Sequence, residues 1–269
     1  MKVAVIGGGT MGGVLVKSIL RARLAAKGDI IVSDVSRDRR ELARKKYGVA
    51  VTDDNAAAVK GADAVILSIK PQEMDGVMEQ VSGHLASQLV ISIAAGVSLE
   101  TISRRLKYGA VVRAMPNTPA QVGRGMTVWT SSNELVAEKY DTARLILASM
   151  GEELHFKDER YLDMATAISG SGPAYVFLFI EALIDAGVHI GLPRDTAQKL
   201  VIETVAGSAE AMKKMARHPA ELRNMVTSPG GTTTEALLRL ESGGLRSLVV
   251  NAVTAAYEKA KSLGAKKPG

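Results

Sequence analysis

The stretch KVAVIGGGTMGG, residues 2–13, decides the fold. Its first half is a short apolar, β-branched run of the kind that forms a buried strand. Gly7-x-Gly9-x-x-Gly12 follows at once, and a helical pattern begins near residue 10. In such a turn the first glycine permits a tight bend, the second lets a pyrophosphate approach the backbone, and the third allows close packing of helix on strand. The helix start adds unpaired N–H groups and the positive end of a dipole. The strand–turn–helix context predicts a dinucleotide cradle over Gly7, Gly8, Gly9, Thr10, Met11 and Gly12. The alternative is a glycine-rich turn that holds no ligand.

Outward from this stretch, strand patterns recur at 30–34, 49–52, 64–69, 89–96 and 110–116, then at 125–131 and 152–156. Most are continuously apolar, as strands covered on both faces should be. Helix-like segments fall between them, near 10–22, 38–46, 54–60, 72–82, 98–106 and 133–149. This alternation implies βαβ units and a parallel sheet, a Rossmann-type doubly wound domain over residues 1–160. After about 160 the pattern becomes helical to the end. Residues 173–192 are apolar nearly all round, interrupted by Glu181, Asp185 and Gly187, which suits a helix buried in a core or between subunits. Further helices are expected at 193–216 and 218–226, and then through TTTEALLRLE and GLRSLVVNAVTAAYEKAKSLG. Residues 161–269 therefore read as an all-α domain that packs against a second copy. The final AKKPG is expected to fray.

Composition narrows the classes. Of 269 residues, 46% are hydrophobic and 23% charged, ordinary values for a globular chain. With no cysteine there is no disulfide, thiolate metal site or cysteine nucleophile, and a reducing, cytoplasmic setting fits. The net charge of +6 is scattered and aromatics are only 4%, so no nucleic-acid partner is expected. No signal peptide or membrane span is expected. The four histidines, at 84, 155, 189 and 218, show no ligand spacing, and no metal is expected.

The strand ends carry further candidates. Asp34, 22 residues past Gly12, is placed to bond ribose hydroxyls, which favours NAD. Ser36, Arg37, Arg39 and Arg40 follow, and arginines there can pair with a 2′-phosphate, so NADPH and NADH both stay open. Lys70 in SIKPQ and the SIAAG run (92–96) lie on the carboxyl edge of the sheet, where ligands of open α/β folds bind. In AMPNTPAQVGRG (114–125) two prolines stiffen Asn117 and Thr118, giving a polar loop able to face a nicotinamide. Ser169 and Ser171 in AISGSGPAY read as helix caps. Finally, TSPGGTTTEA (227–236) turns tightly and then starts a helix on three threonines, with N–H groups able to hold a carboxylate. Simple capping is the alternative there.

Taken together, VIGGGTMGG, SIKPQ, ISIAAGV, RAMPNTPAQVGRG, ISGSGPAY, ALIDAGVHIGLPRDTA and above all VTSPGGTTTEALLRLESGGLRSLVVNAV make the chain resemble the pyrroline-5-carboxylate reductases almost end to end. The resemblance implies reduction of L-1-pyrroline-5-carboxylate to L-proline with NADPH or NADH. It also implies an interleaved homodimer core that often builds larger rings, with the active site between the cofactor domain and helices of the dimer. By position it implies that Asn55, Ile69, Lys70, Ala94, Ala95 and Gly96 line the cofactor and that Asn117 lies near the nicotinamide. Ser228, Gly231, Thr232 and Thr233 would bind substrate, with the Thr233 hydroxyl on the imine nitrogen. Two positions depart from the family pattern. Asp34 stands where relatives often have a small or amide residue, and Met225 where some have asparagine. Two other readings remain: a β-hydroxyacid dehydrogenase, although the apolar helix lacks its usual lysine, and a nucleotide sensor without catalysis.

Overall fold

The computed structural model describes residues 1–265; the expected fraying of the last residues lies mainly outside that span. Eight strands form one sheet: β1 (Val3–Ile6), β2 (Ile30–Ser33), β3 (Ala50–Thr52), β4 (Ala64–Leu67), β5 (Leu89–Ser92), β6 (Val111–Met115), β7 (Gly125–Ser131) and β8 (Gly151–His155). Their spatial order is β3-β2-β1-β4-β5-β6-β7-β8. The order reverses between β1 and β4, which opens a crevice at the carboxyl ends of these two strands. β1 to β6 are parallel, and β7 runs antiparallel to β6 with Met115 opposite Val128. Only a short 3-10 turn, Thr118–Val122, lies between β6 and β7, so the chain returns antiparallel rather than by a crossover helix.

The strand side chains divide by parity between two cores. Val3, Val5 and Ile66 face one side, packing with Leu15 and Ile19 of α1 (Thr10–Arg21), Ala43 of α2 (Arg37–Tyr47), and Ile146 and Leu147 of α6 (Ala137–Ala148). Ala4, Ile6, Val65 and Leu67 face the other, against Val59 of α3 (Asn55–Val59), Met74 and Met78 of α4 (Met74–Val81), and Ile102 and Leu106 of α5 (Leu99–Leu106). Helices on both faces of a largely parallel sheet make this the doubly wound α/β architecture. Local chemistry sets the helix starts: the side chains of Ser36, Asp54 and Ser98 each accept the N–H three residues on, at α2, α3 and α5.

A continuous helical run covers Arg160–His189. It comprises α7 (Arg160–Ala165), a π-helical turn (Thr166–Gly170) and α8 (Gly172–His189). The expectation of helix caps at Ser169 and Ser171 is corrected here. Ser169 donates its hydroxyl to the Ala165 carbonyl and the Ser171 N–H bonds to the Thr166 carbonyl, so both lie within the helix. By length and composition this run is apolar enough to cross a membrane, at a mean hydropathy of 1.5 over its most apolar window.

The chain divides into two compact units, Met1–Ser171 together with the chain from Ala256 onward, and Gly172–Ala255. Within the second unit lie α8, α9 (Arg194–Met215), α10 (Pro219–Met225), α11 (Thr232–Ser242) and the first part of α12 (Leu245–Ala265). α8 and α9 approach closely at Gly187, where an added Cβ would sit 3.0 Å from the Ala197 Cβ, and an Arg194–Asp185 ion pair of 2.8 Å joins them. No residue of α8 is buried, and Phe177 and Leu178 are 63% and 68% exposed. Such a continuous apolar face is what an intersubunit contact would cover.

Candidate active site

The crevice beside the β1–β4 reversal is a cleft of about 570 Å³. Gly7, Gly9, Thr10, Met11, Asp34, Asn55, Ile69, Lys70, Ala94 and Ala95 all line it. Gly8 and Gly12 line a neighbouring groove on the α1–α2 side. The fingerprint glycines divide their work as the spacing implies. Gly7 has a φ of +101°, and a Cβ there would overlap the Ser68 carbonyl; a Cβ on Gly12 would overlap the Gly7 carbonyl. Gly9, in contrast, faces open space, with nothing within 4 Å of an added Cβ. The start of α1 has no side-chain cap and no acid in its first turn. Its N–H groups and dipole are therefore available to an anion lying over Gly9, and a dinucleotide pyrophosphate fits.

Asp34 is engaged by the protein itself. Its carboxylate accepts the Gly8 N–H and the Ser36 N–H, each at 2.8 Å, and lies 3.5 Å from the Arg39 guanidinium. It braces the glycine turn against the end of β2, a role its sequence position did not reveal. Asn55 is also occupied: it accepts the Ser33 hydroxyl at 2.7 Å and donates to Gln80 at 2.7 Å. Ser36 caps α2, and neither Ser36 nor Arg37 lines the cleft. Among the arginines after β2, Arg39 reaches both the cleft and the groove. Arg40 is held by the Asp34 and Val35 carbonyls and by Asp53. The candidate for a 2′-phosphate contact is thus Arg39, on the first turn of α2.

Lys70 is exposed, and no ion pair engages it among the described residues. Gly96 takes a left-handed φ of +73° in the turn after β5 and does not line the cleft. Asn117 does not line it either. Its amide accepts the Met126 N–H at 2.9 Å and donates to the Ser169 carbonyl at 3.0 Å.

In the second unit the stretch before α11 forms a tight turn. Gly230 has a φ of +68°, and the Gly231 N–H returns to the Ser228 carbonyl at 3.0 Å. A Cβ on Gly231 would press on the Ser228 hydroxyl, which would have to turn aside. Of the three threonine hydroxyls, that of Thr234 donates to the Ser228 carbonyl at 2.7 Å and holds the turn shut. The hydroxyls of Thr232 and Thr233 have no partner in the chain among the described residues. Their N–H groups, at the start of an 11-residue helix, find no backbone acceptor there either. Two hydroxyls and two N–H groups are thus left unpaired among the described residues at one helix start, a set suited to a carboxylate and an adjacent nitrogen.

Comparison with known proteins decides the family. A family model described as pyrroline-5-carboxylate reductase dimerisation matches residues 159–263, and one described as NADP oxidoreductase, coenzyme F420-dependent, matches residues 2–96. The chain is 41% identical over 266 residues to the pyrroline-5-carboxylate reductase of Synechocystis sp., covering 99% of each chain. The chain belongs to the pyrroline-5-carboxylate reductase family. The Methanosarcina acetivorans pyrroline-5-carboxylate reductase is 38% identical, with 98% of each chain covered. A crystal structure of the Plasmodium falciparum pyrroline carboxylate reductase with NADP bound matches at a TM-score of 0.90 and 33% identity, covering 98% of each chain. That of Coxiella burnetii pyrroline-5-carboxylate reductase matches at 0.89 and 37%, covering 97% of this chain and 98% of its own. Met225 ends α10 exposed, its sulfur 3.6 Å from the Arg217 guanidinium.

Proposed function

We infer that this chain reduces the imine bond of L-1-pyrroline-5-carboxylate to give L-proline. The observation that carries the assignment of roles is the α11 start, whose Thr232 and Thr233 groups have no partner within the chain although Thr234 beside them does. A bound NADPH or NADH supplies the hydride. The cleft residues orient it: the Gly7–Gly12 turn and the α1 start hold the pyrophosphate, and Ile69, Lys70, Ala94 and Ala95 wall the cleft towards its reacting end. Ser228, Gly231 and the Thr232 and Thr233 N–H groups hold the substrate carboxylate. The Thr233 hydroxyl meets the ring nitrogen.

The chemistry asks little of the protein beyond this. A protonated imine is already electrophilic, and the hydride goes to carbon while the nitrogen keeps its proton. The Thr233 hydroxyl favours the protonated ring and passes a proton from water. Holding the reacting carbons about 3–3.5 Å apart supplies much of the rest. Among the described residues no histidine lines the cleft, which fits such a reaction.

We further assign the protein a cytoplasmic setting, with a homodimer core that assembles into a larger homo-oligomer. The exposed apolar face of α8 then packs between subunits rather than in a bilayer, and neither membrane nor nucleic acid is a partner. Steady-state reduction of L-1-pyrroline-5-carboxylate with NADPH and with NADH, side by side, tests the function. Turnover with either supports it. Cofactor binding without turnover on both would reduce the protein to a dinucleotide-binding dimer.

A further inference from the structure

Asn117 reaches the backbone of Ser169, 52 residues further along the chain. It lies in the loop after β6, and its partners fix which way its amide points. A backbone N–H can only donate and a carbonyl can only accept. The Met126 N–H therefore meets the amide oxygen at 2.9 Å, and the amide nitrogen meets the Ser169 carbonyl at 3.0 Å.

Ser169 belongs to the π-helical turn Thr166–Gly170, closed by the Ser171 N–H on the Thr166 carbonyl at 2.8 Å. A π turn inside an α-helix is rare and concentrates at functional sites. The hydroxyls of Thr166 and Ser169 reach back to the Leu162 and Ala165 carbonyls, at 2.7 and 3.0 Å, and support the widened backbone locally. The same strand grips the same helix twice more. Arg113 on β6, its side chain only 7% exposed, pairs with Glu159 at 2.7 Å and Asp163 at 2.9 Å. A Cβ on Gly170 would lie 2.9 Å from the Met115 methyl, so the turn also rests directly on the strand end. All of these contacts lie on the carboxyl side of the sheet. There the ends of β4 and β5 contribute Ile69, Lys70, Ala94 and Ala95 to the cofactor cleft.

We propose that Asn117 is a positioning residue for hydride transfer, acting through the Ser169 carbonyl. Its amide pins the π turn to the Met115–Thr118 backbone, at the end of the strand next to β5; neither segment lines the cleft itself, and the effect reaches it through the neighbouring β5 end that carries Ala94 and Ala95. Without that donor the turn relaxes toward α register, and the Ser169–Ser171 segment rotates by about 100°, one residue's share of a helical turn. The proposal rests on the reductase reading above. It replaces a direct nicotinamide contact for Asn117 with an indirect one.

The test is Asn117→Asp, which keeps an acceptor for Met126 and deletes the donor to Ser169. The expected result is a fall in kcat of about tenfold or more, with the Kd for NADP⁺ within about twofold of the parent protein. The melting temperature should move by no more than about 4 °C. Hydrogen exchange should quicken at residues 166–171 and stay unchanged in the core strands. Asn117→Ala, which loses both bonds, should reproduce the loss of kcat and add a fall in melting temperature. A kcat within twofold of the parent, or undisturbed exchange at 166–171, overturns the proposal. So does a loss of kcat matched by an equal loss of NADP⁺ affinity, which would make Asn117 a cofactor contact. The parent protein run in the same assay separates the two claims: no imine reduction there rejects the reductase reading, while exchange at 166–171 still reports the link to Ser169.

Discussion

Single atoms decide most at the glycine turn. Gly9 and Gly12 are two members of one motif with opposite physical duties. An alanine at Gly12 meets the Gly7 carbonyl, whereas one at Gly9 meets nothing. Gly12→Ala should therefore destabilise the protein itself, by about 1–3 kcal/mol as overpacked sites do, seen as a lower melting temperature. Gly9→Ala should leave that temperature unchanged and weaken NADP⁺ binding about tenfold or more, since its methyl enters the space the pyrophosphate needs. Equal effects of the two substitutions on both readouts would remove the proposed division of labour. Arg39 makes a second prediction. Arg39→Ala should lower kcat/KM for NADPH about tenfold relative to NADH, the loss of one charge-assisted phosphate contact. An unchanged ratio would leave the 2′-phosphate without its proposed partner. The sequence pointed to the whole arginine run. It could not rank the run, because Arg40 is diverted by Asp53 and two carbonyls that only folding brings near. Asp34 was hidden in the same way. Its spacing suggested a ribose contact; its bond to the Ser36 N–H is local, but the bond to the Gly8 N–H exists only once β1 and β2 pair.

Periodicity and capping made nearly every element legible. All eight strand patterns correspond to strands, because an apolar run bounded by turn residues has few alternatives when both of its faces are covered. The direction of β7 was not legible, since alternation is the same in parallel and antiparallel strands. Neither was the π turn: Ser169 and Ser171 are good capping residues, and nothing local distinguishes a cap from a hydroxyl bonded back along a continuing helix. The β7–β8 edge carries a pH prediction. His155 packs against Trp129 and Tyr140, with ring centroids 4.5 and 5.0 Å away, and its Nε2 is buried without a partner among the described residues. Burial, the largest effect, holds its imidazole below the ordinary value of 6.5; nearby Glu153 opposes the shift and Lys157 adds to it. The folded state therefore binds fewer protons than the unfolded chain just below 6.5. The stability this gives is fully present above 6.5 and is lost as the pH falls through the folded value. Melting temperature measured from pH 7.5 down to about 5 should decline, and His155→Gln should flatten part of that slope. An identical slope in the variant would show that other groups carry it.

At the scale of the molecule, the second unit exposes what a monomer would bury. Phe177 and Leu178 lie open on α8, and the matching family model is one of dimerisation. Phe177→Glu should shift the protein toward monomer in light scattering and lower its melting temperature; an unchanged mass would place the dimer contact elsewhere. That helix was conspicuous in the sequence because it is apolar on every side, while its partner surface could not be read from one chain. Function follows from the family and from one helix start. Its central claim is that the Thr233 hydroxyl serves the imine nitrogen. Thr233→Val keeps the side-chain shape and deletes only that hydroxyl, so kcat for L-1-pyrroline-5-carboxylate reduction, measured beside the Kd for NADP⁺, tests the claim directly. The account predicts a kcat lower by about 10²-fold or more with the Kd for NADP⁺ within about twofold. A variant that turns over like the parent protein, or one that loses cofactor affinity in proportion to kcat, would contradict it.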